Sequence, residues 1–327
     1  MSDEPILVTG AAGFIGSHVA SAIIAAGARV VGVDNFDPMY SPHLKRSNLL
    51  ALERKVGPQR ELFRFLEADV TDQSAVKQMF ELFRPAGIIH LAARAGVRPS
   101  IADPVGYARS NILATSNILA AAGDYKSHGC TKVVVASSSS IYGNSPAVPF
   151  SEEMDVSQPI SPYAATKRAC ELLGYTHWHL TGQPVAMLRF FTVYGPRQRP
   201  DLAIHRFLSK INAGEEIEMF GNGETSRDYT FVNDIVSGVL AAYSRIDSYG
   251  YRIWNLGSDH PVKLNDLIAA IGRTVGKAPR IIHKPMQAGD VEQTWADLSR
   301  ATRELAYRPA TTLEDGLKAQ WKWMQEQ

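Results

Sequence analysis

Tyr163 and Lys167 stand four positions apart and carry the side chains of an acid–base pair. On a helix, residues i and i+4 lie on one face, and Pro162 suits the first turn of such a helix. A free phenol has a pKa of ~10, so it acts as a base near neutral pH only where positive charge favours the phenolate. A neighbouring ammonium supplies that charge, although an ordinary pair on a helix surface would have the same spacing.

A serine run precedes this pair. The run Ser137–Ser140 follows the apolar stretch Val133–Val135, and Ser138 lies 25 residues before Tyr163. This places hydroxyl groups just after a predicted strand, and we treat Ser138 with Tyr163 and Lys167 as a candidate catalytic set. A simple transition from strand to loop is the alternative for the serines.

A glycine-rich turn lies near the start of the chain. Gly10, Gly13 and Gly16 follow the apolar run Ile6–Val8, and apolar residues then recur with helical spacing. Glycines at a strand-to-helix turn let backbone N–H groups approach a diphosphate at the positive end of the helix. The spacing is one residue longer than GxGxxG, and a turn that only joins a strand to a helix stays open as the alternative.

Carboxylates at the ends of the next two predicted strands extend this interpretation. Asp34 follows Val30–Val33 and lies 18 residues after Gly16, near the spacing of about 20 at which a carboxylate holds adenosine ribose hydroxyls. A carboxylate there repels a 2′-phosphate, which favours NAD over NADP. Asp69, followed by Val70, can meet the adenine edge or belong to a helix cap.

Short apolar runs alternate with amphipathic helical stretches around these residues. Runs that are apolar at successive positions suit strands covered on both faces, joined by right-handed helical crossovers. We therefore predict an α/β fold, a doubly wound parallel (Rossmann) sheet with a second, smaller α/β substrate-binding lobe. The predicted strands are Ile6–Val8, Val30–Val33, Phe63–Leu66, Ile88–Leu91, Val133–Val135 and Val185–Leu188.

The regular alternation of apolar runs and helical stretches ends after Pro184. From there, loops rich in Gly, Pro and Arg separate shorter elements. We predict a dinucleotide-binding Rossmann domain over residues 1–188 and a lobe that is mainly substrate-binding over 189–327. Residues 228–257 are expected to return to the first domain, because 234–245 has the pattern of a helix and 252–256 that of a strand.

Composition narrows the classes of partner. The 327 residues include 34 Lys plus Arg and 33 Asp plus Glu, so the overall charge gives no reason to expect a nucleic acid partner. Cys130 and Cys170 fit no zinc or disulfide spacing, and we predict no metal site. The acidic first residues and the absence of a long apolar stretch predict a cytoplasmic protein without a membrane segment.

Together, the glycine turn, Asp34, the serine run and the Tyr163–Lys167 pair resemble the extended short-chain dehydrogenase/reductase family. The resemblance runs from residue 6 to about residue 307. It implies bound NAD, Tyr163 as acid and base, Lys167 on the nicotinamide ribose and Ser138 on a sugar oxygen. The cofactor-binding residues that it implies are Gly10, Gly13, Phe14, Ile15, Gly16, Asp34, Asn35, Asp69, Val70, Leu91, Ala92, Ala93, Asn111, Tyr163 and Lys167.

Members of this family divide by the residues around the substrate. Ser139 and Ser140 stand where members that eliminate water carry Asp-Glu and where decarboxylases usually carry Glu, so oxidation and re-reduction at one carbon is favoured. The stretch from Arg189 to Asp201 resembles members that epimerise UDP-glucuronate at C4. That resemblance implies a UDP-hexuronate whose carboxylate is held by hydroxyls and a guanidinium, from Ser139, Ser140, Thr192 and Arg199.

The resemblance also implies residues around the nucleotide. Arg227 would bind the diphosphate, Phe220 would stack on uracil, and Arg98 and Asp290 would lie close to the substrate. Phe220 also suits a core position, and Arg199 of the stretch described above also suits a solvated loop or a phosphate contact. Gln287 replaces an arginine of many relatives, which weakens the assignment of the nucleotide.

Two other functions stay open. The chain could epimerise UDP-glucose or UDP-N-acetylglucosamine, with Arg199 in another role, or it could be an NAD-binding sensor or scaffold without catalytic activity. A homodimer through helices near residues 103–123 and 162–182 is implied by the resemblance alone.

Overall fold

The structure is a computed structural model that describes residues 4–57, 60–285 and 291–327.

Its strands alternate with helices through the first half of the chain, as predicted. The strands are β1 (Ile6–Thr9), β2 (Val30–Asp34), β3 (Phe63–Glu67), β4 (Gly87–His90), β5 (Val133–Ser138), β6 (Val185–Phe190), β7 (Thr192–Tyr194), β8 (Glu216–Phe220), β9 (Ser226–Phe231), β10 (Tyr251–Leu256), β11 (Pro261–Lys263) and β12 (Arg280–Lys284).

The helices include one of 20 residues, α7 (Pro162–Thr181), which carries Tyr163 and Lys167. They are α1 (Phe14–Ala25), α2 (Pro42–Val56), α3 (Gln73–Phe83), α4 (Val97–Ala102), α5 (Pro104–Ala108), α6 (Ala114–Asp124), α7 (Pro162–Thr181), α8 (Ala203–Ala213), α9 (Val232–Arg245), α10 (Leu264–Val275), α11 (Ser299–Leu305) and α12 (Leu313–Gln325). A π-helical stretch, Arg109–Leu113, joins α5 to α6. No helix of the described ranges has the length and apolar character needed to cross a membrane.

The central sheet has seven parallel strands in the order β10-β6-β5-β4-β1-β2-β3. Both faces of the sheet are covered. Neighbouring residues of a strand point to opposite faces, and Leu7 and Val31 pack into one apolar core whereas Val8 and Val30 pack into another. This confirms the predicted doubly wound fold. The order reverses at β1, which lies between β4 and β2, so the crevice at the carboxyl end of β1 is the ligand position expected for such a sheet.

The second half of the chain forms smaller sheets beside the large one. β7, β9 and β11 make a three-stranded sheet, and β8 pairs with β12. β10 is an edge strand of the large sheet, whereas β9 lies in the three-stranded sheet. The division of the chain at residue 188 stays a prediction.

Candidate active site

A cavity of ≈ 340 Å³ lies at the carboxyl edge of the large sheet. It receives side chains from the segments that follow β1, β2, β3, β4 and β5 and from helix α7. Most of the predicted cofactor-binding residues line it, together with three of the predicted substrate-binding residues. These are Gly10, Gly13, Phe14, Ile15, Gly16, Asp34, Asn35, Asp69, Val70, Leu91, Ala92, Ala93, Tyr163 and Lys167, with Ser138, Thr192 and Arg199.

The glycine turn is shaped by close backbone contacts. Gly10 has φ +69°, and a Cβ on it would lie 2.9 Å from the backbone nitrogen of Ala92. A Cβ on Gly16 would lie 2.0 Å from the carbonyl oxygen of Gly10. The sequence therefore needs glycine at both positions for the turn to close. Helix α1 starts on Gly13, which has no side chain with which to cap the first N–H groups.

Asp34 ends β2 at the side of this turn and is buried. Its carboxylate accepts hydrogen bonds from the backbone N–H groups of Ala12 at 3.3 Å and Phe36 at 2.8 Å. The ammonium of Lys45 lies 3.6 Å from the same carboxylate. Asp69 accepts from the N–H of Thr71 in its own turn and also has a side-chain hydrogen bond with Asn35, which follows β2.

Asp72, rather than Asp69, caps helix α3, since its carboxylate accepts from the N–H groups of Ser74 and Ala75. Burial is the largest single influence on Asp69 and opposes its charged form, but hydrogen bonds from Thr71 and Asn35 and the charge of Arg109 together lower the pKa of Asp69.

The acid–base pair lies on helix α7, which begins at Pro162 as predicted. Ser161 caps the helix by accepting from the N–H of Ala164 at 3.1 Å. Tyr163 and Lys167 both line the cavity, and the Lys167 ammonium donates to the carbonyl of Ala136 at 2.9 Å.

Ser138, at the end of β5, completes the candidate catalytic set in the same cavity. Its Oγ accepts from the N–H of Ser140 at 3.2 Å, so the hydroxyl hydrogen can donate to a ligand.

His90 stands behind Lys167 and is fully buried. Burial, with a smaller contribution from the Lys167 charge, lowers the pKa of His90 to about 3. The imidazole is therefore neutral at pH 7, and its ring nitrogens lie 2.7 Å from the hydroxyl of Thr9 and 3.3 Å from that of Thr115. A neutral ring adds no positive charge that would push the Lys167 ammonium away.

A buried ion pair fixes helix α7 against the sheet one turn beyond Lys167. The Glu171 carboxylate accepts from Arg189 Nε at 2.8 Å and from a terminal nitrogen of the same guanidinium at 2.9 Å. Glu171 also accepts from the hydroxyl of Ser137 at 2.8 Å. The other terminal nitrogen of Arg189 donates to the hydroxyl of Tyr142, which donates to Asn255 Oδ1. Glu171 therefore ties the helix of Tyr163 to β5, the strand of Ser138, through Ser137, and to β6 through Arg189.

The candidate carboxylate-binding residues, Thr192 and Arg199, face the same cavity. Arg199 donates through Nε at 3.0 Å and one terminal nitrogen at 2.7 Å to the carboxylate of Asp201, and through the other terminal nitrogen to the carbonyl of Ala95. Within the described part of the chain these bonds take three of the five N–H groups of a guanidinium. One N–H on each terminal nitrogen remains for a bound anion.

Several predicted residues lie away from the cavity lining. Asn111 lies behind the loop after β4, where it accepts from the Arg94 N–H at 2.8 Å and donates to the Arg94 carbonyl. Ser139 and Ser140 form a 3₁₀ turn, and the buried Oγ of Ser140 has no partner among the described residues.

The residues predicted around the nucleotide lie on the second part of the chain. The Arg98 guanidinium covers the ring of Phe220 at 5.2 Å, and Phe220 is only half-buried, so it is not a plain core residue. Arg227 donates to the carbonyls of Ser226 and Glu292. Asp290 and Gln287 lie outside the described residues.

Sequence reasoning missed residues of the two loops after β2 and β4. Asp37, Tyr40 and Lys45 line the cavity from one side and Arg94 from the other. Asp37 receives hydrogen bonds from Arg94 Nε at 3.1 Å and from a terminal nitrogen at 2.8 Å. Hydrogen bonding to Asp37 raises the pKa of Arg94 above its usual value. No motif signals these residues, because they meet only after the strands have paired.

The hydroxyl of Tyr40 and the first N–H groups of α1 form a donor set for the diphosphate of a dinucleotide. The hydroxyl of Tyr40 is buried without a hydrogen-bond partner in the described chain, although the peptide N–H of Phe14 lies close enough to favour its phenolate. Burial nevertheless raises the pKa of Tyr40 well above its usual value. A neutral hydroxyl beside uncapped N–H groups is a donor set for phosphate oxygens, so the residues fit the group. No cluster of metal-ligating side chains occurs in the described ranges.

A parallel doubly wound sheet with a glycine turn at its switch point and a Tyr–Lys pair on the neighbouring helix defines a dinucleotide-binding enzyme of the extended short-chain dehydrogenase/reductase class. The chain belongs to the GDP-mannose 4,6 dehydratase family, because the model of that family matches residues 7–320.

Relatives within this family share most of their length with the chain. It is 42% identical to the UDP-glucuronate 4-epimerase of Thermodesulfobacterium geofontis (strain OPF15), over 98% of this chain and 96% of that protein. UDP-glucuronate 4-epimerase 3 of Arabidopsis thaliana is 41% identical, over 97% of this chain and 76% of that protein. The crystal structure of UDP-glucuronic acid 4-epimerase from Bacillus cereus, in complex with UDP-glucuronic acid and NAD, matches with a TM-score of 0.90 and 34% identity, over 98% and 99% of the two chains.

Proposed function

We propose that the chain is an NAD-dependent UDP-glucuronate 4-epimerase that interconverts UDP-glucuronate and UDP-galacturonate. The observation that carries the proposal is one cavity that holds Tyr163, Lys167 and Ser138 together with Thr192 and Arg199. The first three supply acid–base chemistry, and the last two supply donors for a carboxylate. The epimerases of this specificity among the relatives support the same activity.

NAD, held by the glycine turn and Asp34, would supply the hydride acceptor for C4 and, once reduced, the hydride donor for the ketone. Tyr163 removes the proton of the C4 hydroxyl, and Lys167 favours the phenolate by its positive charge. Ser138 donates a hydrogen bond to the C4 oxygen. After the flat 4-keto sugar has turned over, Tyr163 returns the proton to that oxygen, and the product is the C4 epimer with no net oxidation.

Arg199 and Thr192 protect the intermediate as well as bind it. Once C4 is a ketone, the hexuronate is a β-keto acid, which loses CO₂ when the bond to the carboxylate aligns with the carbonyl π system. The remaining N–H groups of Arg199 can hold the carboxylate in another orientation. Asp201 and Ala95 fix the guanidinium for this task.

The test is a product analysis with three separate substrates. Purified protein incubated with UDP-glucuronate should give UDP-galacturonate, detected by chromatography or NMR, and little product with UDP-glucose or UDP-N-acetylglucosamine. Conversion of the neutral sugars alone would replace the proposed substrate, and a UDP-pentose product would mean that the carboxylate is not held. No product from any of the three would refute an epimerase.

We further propose a homodimer through helices α5, α6 and α7, which cover the regions near residues 103–123 and 162–182. Exposed apolar side chains lie on these adjoining helices, including Val105 with 77% and Leu172 with 53% of its surface accessible. Exposed apolar patches of this kind favour association. The double variant Val105→Asp/Leu172→Asp should run as a monomer in size-exclusion chromatography with light scattering. Leu82→Asp is the control, because Leu82 is also exposed but lies on α3, and this variant should stay dimeric. A monomeric wild-type protein would refute the dimer.

The buried, free thiols of Cys130 and Cys170 support a reducing compartment, and we propose that the enzyme works in the cytoplasm.

A further inference from the structure

The two loops that sequence reasoning missed face each other across the crevice. One follows β2 and the other follows β4, and β1 lies between these strands in the sheet. A bond between the two loops must therefore pass over the carboxyl end of β1. That end carries the glycine turn and the first turn of α1, where a diphosphate would bind.

Arg94 and Asp37 make this bond. Two nitrogens of the guanidinium donate to the same carboxylate oxygen, Oδ2 of Asp37, and both residues line the cavity. Each is about three-quarters shielded from solvent, with 28% and 21% of the side chain accessible, so water weakens the pair less than it weakens a pair on the open surface.

The Arg94 end of the bond has a firm anchor. Asn111 holds the backbone of Arg94 at both its N–H and its carbonyl. A third nitrogen of the guanidinium donates to Asp103 at 2.8 Å, outside the cavity lining. On the other side, Oδ1 of Asp37 accepts from the N–H of Met39 and shapes its own loop.

We propose that the Asp37–Arg94 pair is a clasp that retains the dinucleotide through the catalytic cycle. The inference rests on the proposed function, because an epimerase reduces the same sugar that it has oxidised. Loss of the reduced dinucleotide between the two half-reactions would leave a 4-keto uronate with no hydride to accept. A bridge over the diphosphate slows that loss without touching the reacting atoms.

The test measures release of NAD without any substrate. Wild-type protein is loaded with carbon-14-labelled NAD and chased with excess unlabelled NAD, and the label that remains bound is followed with time. Arg94→Gln and Asp37→Asn should each release the label about tenfold faster, equivalent to ~1.4 kcal/mol in the barrier. The double variant should release no faster than the quicker single variant, because both substitutions remove one bond.

The direction of the two effects separates a clasp from a simple charge effect. Removing the positive charge of Arg94 would weaken attraction for the diphosphate, whereas removing the negative charge of Asp37 would strengthen it. A pure charge effect therefore predicts faster release from Arg94→Gln and slower release from Asp37→Asn. Faster release from both variants supports the clasp, and opposite changes overturn it.

Glu224→Gln is the control, since it removes a carboxylate from an exposed ion pair with Lys263 outside the cavity lining and should release NAD at the wild-type rate. Thermal unfolding of each variant, measured without NAD, shows whether the variant folds. Unchanged release from the folded Arg94→Gln and Asp37→Asn variants would overturn the clasp alone. A wild-type protein that binds no NAD would refute the proposed function itself.

Discussion

The buried Glu171–Arg189 pair gives a quantitative prediction about stability. Glu171 is fully buried and Arg189 is 1% exposed. Replacing Glu171 leaves Arg189 without an ion-pair partner in the described chain, whereas replacing Arg189 leaves Glu171 with Arg168, whose guanidinium lies 3.1 Å away and is 30% exposed. Breaking one side of a buried pair costs about 3–5 kcal/mol, because an uncompensated charge stays in the interior. With the average unfolding entropy of roughly 2.1 cal/mol/K per residue, a loss of about 4 kcal/mol over 327 residues lowers Tm by roughly 6 °C.

Two variants divide this loss by the partner that remains. Glu171→Gln leaves the Arg189 guanidinium buried and unpaired, and arginine cannot give up its proton, so this variant should show the full loss. Arg189→Met leaves the Glu171 carboxylate with Arg168 at 3.1 Å, so its stability deficit should be smaller.

The assay is thermal unfolding of wild type and both variants at ~pH 7.5, where both side chains carry their ordinary charge. Tm should fall further in Glu171→Gln than in Arg189→Met, because only the second variant keeps an ion pair with Arg168. Glu224→Gln, in the exposed pair with Lys263, is the control and should not move Tm measurably. Variants that melt with wild type would refute a role of this pair in holding helix α7 to the sheet.

Tyr163→Phe should abolish turnover while NAD stays bound, and activity within a few fold of wild type would exclude Tyr163 as the acid–base residue. Arg199→Ala should raise KM for UDP-glucuronate well above any change for UDP-glucose, and equal losses would deny it a carboxylate role. Tyr40→Phe removes a hydroxyl that has no hydrogen-bond partner in the described chain, so the Tm of the apoprotein should not change. The affinity for NAD, measured by calorimetry, should fall about tenfold, and an unchanged affinity would contradict a hydrogen bond from Tyr40 to the diphosphate. The hydrogen bond with Arg252 is the largest cause that lowers the pKa of Glu304 to about 2. The ionised carboxylate therefore stabilises the fold above pH 4.5, and this contribution is lost as pH falls towards 2. Glu304→Gln should lower Tm at pH 7 but not near pH 2.

The sequence by itself determined the fold class and which predicted cofactor-binding residues would share one cavity. The signal for each predicted strand is a local apolar run, and the glycine turn, Asp34 and the Tyr163–Lys167 pair are spaced within single elements or between consecutive ones. Parallel strands bring their carboxyl ends to one edge, so the residues at those ends meet once the pairing is correct. Local spacing therefore sufficed for Gly10, Asp34 and Tyr163 to be placed in one cavity.

Only the tertiary structure decided which side chains close the site and hold it rigid. Asp37 meets Arg94 across 57 residues, Arg189 meets Glu171 across neighbouring elements, and Arg199 reaches the carbonyl of Ala95 across 104 residues. None of these pairs has a characteristic spacing, because their contact depends on strand order and on the path of the loops. A charged residue in a loop has the same local pattern whether it faces water or a buried partner, and the fold alone separates the two.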